Sequence, residues 1–378
     1  MPETGTRPDR GAPAAAGAVW PWAPRSGRQT APAASGLRTT HGRQGSATSH
    51  VTEPSTTAFR PRRVALLGGG GFIGAWACER LLAKGVEVRV LERSGVKPWR
   101  SFDRNECIEW RTGDAGSLAD LKAVLAGVDA VVHLASATLP GSGPDELALE
   151  LERDRRALAC LLEALPALQI PRLVFVSSGG CVYGPARRLP IDEDHPTRPV
   201  NDYGSGKLAA EAQMLEAAQR GRFDVKILRV ANAYGARQRL DHRQGVVTTF
   251  LHRARQGLPL IVYGDGSVLR DFVHVSDVAE AIACALGHTG ASQTFNIGSG
   301  QATRIDALIE RIERLLERPV LTEFYPGRPG DVEANALDCG RARAELGWQP
   351  RVALAAGLEM TLAWIDEVGG APAKTAIP

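Results

Sequence analysis

No two cysteines in this chain stand two residues apart, and none has a histidine at metal-ligand spacing. The six present, Cys78, Cys107, Cys160, Cys181, Cys284 and Cys339, are scattered. A sequence-evident zinc clip or dithiol motif is thereby excluded, and buried free thiols of a reducing compartment are expected. No apolar run approaches the roughly 18 residues needed to cross a bilayer, so no membrane partner is expected. The start lacks the charged-then-apolar layout of a secretory signal, which points to a cytoplasmic protein. A large net charge of either sign is also lacking: the formal balance is +3 over 378 residues, much of it from arginines before residue 60. The body is close to neutral and offers no extended face for nucleic acid. No internal repeat is visible, and no metal site is expected.

What is present is the composition of a soluble globular protein, 44% apolar and 23% charged. Residues 1–60 are rich in Ala, Pro, Gly, Ser, Thr and Arg, with almost no aliphatic periodicity. Such a segment cannot bury enough surface to offset the entropy of ordering, so disorder is expected. The abrupt change also fits a natural start nearer Val51, which the intact mass of the native protein would test.

From Arg62 the pattern becomes strand and helix in alternation. "RRVALLGG", "VEVRVLER", "DAVVHLAS", "RLVFVSS" and "VKILRVAN" read as apolar strands. "GAWACERLLAKG", "AGSLADLKAVLAGV" and "ELALELERDRRALACLLEAL" read as the helices between them. Alternation of this kind predicts an α/β fold, a doubly wound parallel sheet of the Rossmann type. After Ala236 the regularity loosens, predicting a smaller C-terminal substrate-binding lobe that contains the helix "IDALIERIERLLER". The expected organisation is a sheet domain over 61–235, a lobe over 236–367 with some segments returning to the sheet domain, and a tail over 368–378.

Two motifs carry the chemistry. "GGGGFIG" sets Gly68, Gly71 and Gly74 between the first strand and the first helix, where glycines let the backbone approach a pyrophosphate seated on the helix N-terminus. Glu92 ends the second strand, close to the roughly 20-residue spacing of an acid that binds a ribose diol. That favours NAD over NADP; Arg93 beside it would attract the extra phosphate, and a plain surface charge is the duller reading of Glu92. Asp114 follows the third strand and would bond the adenine or cap a helix. Tyr203 and Lys207 in "NDYGSGKLAAEAQ" are four residues apart at the start of a helix and so share a face. A tyrosine is a poor base at its free pKa of roughly 10, and a neighbouring ammonium and a positively charged nicotinamide would lower it. The pair would then take a proton from an alcohol while hydride leaves to NAD.

Over about residues 62–365 the chain resembles the extended short-chain dehydrogenase/reductases, in particular the NAD-dependent nucleotide-sugar epimerase/dehydratase family. The resemblance is carried by "GGGGFIG", "GD" at 113–114, "VVHLAS", "VSSGGCVYG", "YGSGK", "LRVANAYG", "YGDGSVLRDFVHVSDVA", "NIGSG" and "GRPGDV". It implies cofactor contacts from Phe72, Ile73, Leu134, Ala135 and Lys207, a nucleotide-sugar substrate that is UDP-linked, and a homodimer. It also implies that Asn232, Arg270 and Arg328 contact the sugar nucleotide and that Asp331 lies near its ribose. Two arginines suit a pyrophosphate because each donates a fork of hydrogen bonds.

The family usually places a Ser or Thr where this chain has Gly179, or a Thr where it has Cys181. Neither hydroxyl is present, so Ser178 is expected to support Tyr203, with Cys181 packed beside the sugar. Relatives that dehydrate their sugar carry carboxylates immediately before "VYG"; Gly180 and Cys181 cannot do that work. Epimerisation at C4 is therefore the expected activity, with a keto-sugar reductase using the same residues as the alternative. A dinucleotide-binding protein without catalysis is a third reading, motivated by Gly179.

Overall fold

The computed structural model describes residues 59–137, 144–221, 223–240, 245–328 and 330–369. The expected disorder of the N-terminal extension and of most of the tail lies outside them. Phe59 is already ordered, its ring 4.9 Å from the Arg172 guanidinium.

The first ten elements are β1 (Arg63–Leu67), α1 (Phe72–Ala83), β2 (Glu87–Glu92), β3 (Ile108–Thr112), α2 (Leu118–Leu125), β4 (Ala130–His133), α3 (Pro144–Ala167), β5 (Arg172–Ser178), α4 (Asp202–Gly221) and β6 (Asp224–Val230). There follow β7 (Asn232–Tyr234), α5 (Val246–Arg255), β8 (Leu260–Tyr263), β9 (Leu269–His274), α6 (Val275–Gly287), β10 (Thr294–Ile297), β11 (Ala302–Arg304), α7 (Ile305–Leu316), β12 (Thr322–Tyr325), α8 (Gly340–Leu346) and α9 (Leu354–Gly369).

Seven strands pair in the order β10-β6-β5-β4-β1-β2-β3, and every neighbouring pair is parallel. The α/β parallel sheet of the sequence reading is thus the observed architecture. Its inner strands are largely apolar because both faces are covered, whereas the edge strand β3 is partly exposed. Val64, Leu66, Val174 and Val176 enter the core cluster that includes Ala77 and Leu81 of α1 and Ile282 of α6. Their strand neighbours Ala65, Leu67, Leu173 and Phe175 enter the cluster of Leu121 (α2), Leu161 (α3) and Met214 (α4). Strand order reverses at β1, and the crevice outside the C-terminal ends of β1 and β4 is where such sheets bind ligands.

The rest of the chain builds a second core from Phe250 and Leu251 of α5, Leu260 and Val262 of β8, Leu308 and Ile312 of α7, and Leu358 and Ile365 of α9. Two small sheets accompany it, β11-β9-β7 and β12-β8. β10 returns to the large sheet beside β6.

Candidate active site

The glycine loop has no room for side chains. Gly68 sits at φ +87°, and a Cβ there would lie 2.8 Å from the Ala135 nitrogen. A Cβ at Gly74 would lie 2.2 Å from the Gly68 oxygen. α1 therefore starts hard against β1, with Gly71 as a cap that offers no side chain to its first amides. Those amides face the crevice as donors for an anion. Phe72 and Ile73 follow in the first turn. Leu134 and Ala135 each donate a backbone N–H to the Leu67 oxygen, at 2.9 and 2.8 Å, which sets them against Gly68.

Glu92 is buried at the end of β2. Its Oε1 accepts the Gly70 amide at 2.7 Å and its Oε2 the Arg93 amide at 3.3 Å. Burial raises its pKa, and the two amides hold it back. Arg93 is exposed. The Trp110 and Val96 side chains wall the same corner, each within 3 Å of where a Gly70 Cβ would stand. A cradle that excludes Cβ atoms, an open helix start and a carboxylate at the strand end fit NAD. Asp114 does not cap α2: Ser117 does, accepting the Asp120 amide. Asp114 is exposed, its carboxylate accepting the Gly116 amide at 2.8 Å.

Asn201 starts α4 by accepting the Gly204 amide at 2.8 Å. Tyr203 and Lys207 then line one cavity of about 220 Å³, together with His133, Asp154 and Phe175. Both are half-buried. The Lys207 ammonium stands 5.3 Å from the Phe175 ring centroid and 5.7 Å from that of Tyr203. Burial pushes the Tyr203 phenol well above its usual range, Cys181 and Asp154 push the same way, and the neighbouring Ser178 opposes them. Burial also lowers the pKa of Lys207, against which Asp154 and then Glu211 act. His133, stacked on Phe175 at 5.6 Å, is driven down to about 4 by burial and stays neutral.

The glycines after β5 have a steric cause. A Cβ at Gly179 would lie 2.6 Å from the Leu337 Cδ1 and 2.9 Å from the Arg229 oxygen. One at Gly180 would lie 3.1 Å from the Asn232 Oδ1. Leu337 fills the place of a hydroxyl-bearing side chain, and Asn232 crowds the next position. Ser178 lies beside both the Tyr203 phenol and the Cys181 thiol and favours the charged form of each. That thiol, half-buried, is pushed up by burial and is neutral.

Sequence reasoning missed the network behind the pair. Ser177 Oγ donates to Glu211 Oε1 at 2.5 Å, and Arg229 forks onto the same carboxylate at 2.7 and 3.1 Å. Arg229 also donates to the Tyr183 hydroxyl at 3.1 Å, which donates to Asn296 Oδ1 at 2.7 Å. The available signal was Arg229 inside the apolar run "VKILRVAN", because a charge there must be paired.

In front of the pair, Arg270 reaches Asp331 at 2.5 Å and donates to the Val332 oxygen at 2.7 Å. Cys181 feels the charge of both, so Cys181, Asn232, Arg270 and Asp331 are brought to one region. The Arg328 guanidinium instead lies 3.7 Å above the Tyr263 ring, and Tyr325 stands 6.1 Å from that ring. Neither tyrosine was singled out from the sequence.

A family model described as the NAD dependent epimerase/dehydratase family matches residues 64–298. The chain is 34% identical over 305 residues to a UDP-glucose 4-epimerase of Mycolicibacterium smegmatis, covering 79% of this chain and 97% of that one. It is 29% identical over 306 residues to a dTDP-4-dehydro-6-deoxyglucose reductase of Escherichia coli, covering 79% and 96%. Among solved structures, the UDP-glucose 4-epimerase of Thermotoga maritima with UDP-glucose superposes with a TM-score of 0.76 at 28% identity, covering 81% of this chain and 99% of that one.

Proposed function

This chain belongs to the NAD-dependent epimerase/dehydratase family, with NAD as its cofactor, and from that premise we propose that it interconverts the C4 epimers of a UDP-sugar through a transient 4-keto intermediate. The observation that carries this reading is the meeting of Tyr203 and Lys207 in one cavity, with Ser178 beside the phenol and no carboxylate at 180 or 181. Loss of water from the sugar needs acid–base groups beside the ring in addition to Tyr203, and Gly180 and Cys181 supply none.

In the proposed cycle Tyr203 takes the O4 proton as the C4–O4 bond becomes a carbonyl, and gives it back after the keto sugar has turned its other face. Bound NAD supplies the acceptor and later the donor of the C4 hydrogen with its electron pair. Ser178 holds the reacting oxygen beside the phenol. The Lys207 charge, with that of the oxidised cofactor, offsets the burial that otherwise keeps Tyr203 protonated. Arg270 and Arg328 leave Asp331 and Tyr263 to fork onto the diphosphate, since an anion held by two guanidinium groups is a stronger partner than a ring face or an exposed acid. Glu92 takes the adenosine ribose hydroxyls, and Asp114 faces the adenine.

Similarity to the E. coli reductase favours one second reading, a keto-sugar reductase that uses the same residues and exchanges its nicotinamide each turnover. Incubation with UDP-glucose and UDP-galactose, followed by NMR and by the nicotinamide absorbance band, separates the two. Epimer without net absorbance change supports the epimerase. Steady absorbance change with a keto-sugar substrate replaces it with the reductase. A cytoplasmic homodimer belongs to the same reading, with its oligomeric state to be checked by sedimentation; no helix among the described residues is long and apolar enough to cross a membrane.

A further inference from the structure

We propose that Asp154 is the positioning residue of the reacting pair: its carboxylate is the counter-charge that keeps Lys207 an ammonium in the cavity, and it fixes the chain leaving β4. This deepens the reading above and rests on Tyr203 being the proton-transfer group.

Each element around the cavity contributes titratable or charged groups. α3 brings Asp154 and Arg155, α4 brings Tyr203, Lys207 and, one turn on, Glu211; β4 brings His133, and the end of β5 brings Ser178 and Cys181. Most of these are already neutral or committed. Arg155 is exposed and forks onto Glu152 at 2.8 and 2.7 Å. Glu211 is closed on Arg229 and Ser177. His133 and Cys181 are held neutral by burial. Asp154 lines the same cavity as Lys207, Tyr203 and His133, and its charge acts on all three. Its Oδ2 is bonded to the Ser136 hydroxyl at 2.8 Å and its Oδ1 accepts the Ala137 amide at 2.6 Å.

Those bonds give Asp154 a second effect. Ser136 and Ala137 directly follow Leu134 and Ala135, the pair bonded to Leu67 against the Gly68 turn. One carboxylate on α3 therefore ties the strip between the cofactor loop and the reacting pair to the charge balance of that pair.

A buried ammonium without a counter-charge loses its proton, and a buried phenol beside an anion keeps its own. Taking the Asp154 charge away lowers both values together. In Asp154→Asn, which preserves an acceptor for the Ala137 amide, both limbs of the pH profile of kcat/KM should move to lower pH by about one unit. The ultraviolet titration of the Tyr203 phenol, taken as the difference from Tyr203→Phe, should move with them and needs no turnover. Asp154→Glu should restore the limbs. Ser136→Ala, which removes the hydroxyl and keeps the Asp154 carboxyl, should change the height of the profile and leave its limbs in place.

Limbs and phenol titration unmoved in a folded Asp154→Asn protein would overturn the proposal while leaving Tyr203 as the base. Full turnover in Tyr203→Phe would instead overturn the underlying reading, and the ammonium of Lys207, followed by NMR in both Asp154 variants, would still judge Asp154. Should Asp154→Asn not fold, Asp154→Ser, smaller and uncharged, is read in the same way.

Discussion

Two ion pairs flank the reacting residues, and they differ in what surrounds them. Behind Tyr203 and Lys207, the Arg229 and Glu211 side chains are 9% and 2% exposed, and each has further buried partners in Tyr183 and Ser177. In front, Arg270 is 12% exposed but its partner Asp331 is 47% exposed. The rear pair cannot exchange its partner for water, so it fixes α4 on the ends of β5 and β6. The front pair can, because solvent screens an open carboxylate and makes such a bond worth little. Under the proposed function, holding α4 still while admitting a charged ligand calls for one pair of each kind.

The widest separation should come from breaking the rear pair on one side only. Arg229→Met leaves the Glu211 charge buried and unpaired and should destabilise the protein by about 3–5 kcal/mol in urea unfolding. The double variant Arg229→Met with Glu211→Leu should recover much of that loss, and no recovery would mean that the network acts through Tyr183 and Asn296 instead. Between the two pairs, Tyr203→Phe should lower kcat by about 10²–10⁴-fold with unfolding nearly unchanged. At the front, Arg270→Ala should shift stability by less than about 1 kcal/mol, while KM for the UDP-sugar rises by about tenfold or more for lost charged hydrogen bonds. A stability loss as large as that of Arg229→Met would erase the distinction.

Acid should separate stability from binding in the same way. The folded pKa of His133 and of His274 is depressed to about 4 by burial. Each therefore contributes stability that is complete above the unfolded value and is lost as pH falls towards the folded one. Unfolding free energy should drop between pH 6.5 and 4, by about 2 kcal/mol per histidine at pH 5. His274→Gln should remove its share of that slope. The smallest expected effect is Ser178→Ala, which should reduce turnover by about tenfold and leave unfolding unchanged. Unchanged turnover would take Ser178 out of the site.

The parts of this arrangement legible in the sequence are those set by neighbours along the chain. Apolar runs broken by helical stretches announced the sheet, because strands covered on both faces need them. Gly68 and Gly74 announced the turn, and the four-residue spacing of Tyr203 and Lys207 announced their common face. What was not legible depends on residues far apart in the chain. Glu211 and Arg229 meet only because α4 packs on β6, and Asp154 reaches Ser136 only because α3 lies over the end of β4. Asp114 was open to two readings until Ser117 was seen to hold the cap. The burial that raises the Tyr203 phenol was not legible either: spacing reports direction along a helix and carries no information on how much water a phenol keeps.

Leu337 has a consequence for the history of the chain. Its methyl group occupies the space of a side chain at 179, and the Arg229 carbonyl closes the other side. A mutation from glycine to serine at 179 would thus meet both a leucine from the far end of the sequence and a rigid strand. Shrinking Leu337 first would open a hole beside a buried asparagine whose Oδ1 already lacks a partner, Asn335. Each single step away from the present pair meets a steric or packing cost, so positions 179 and 337 can change only together.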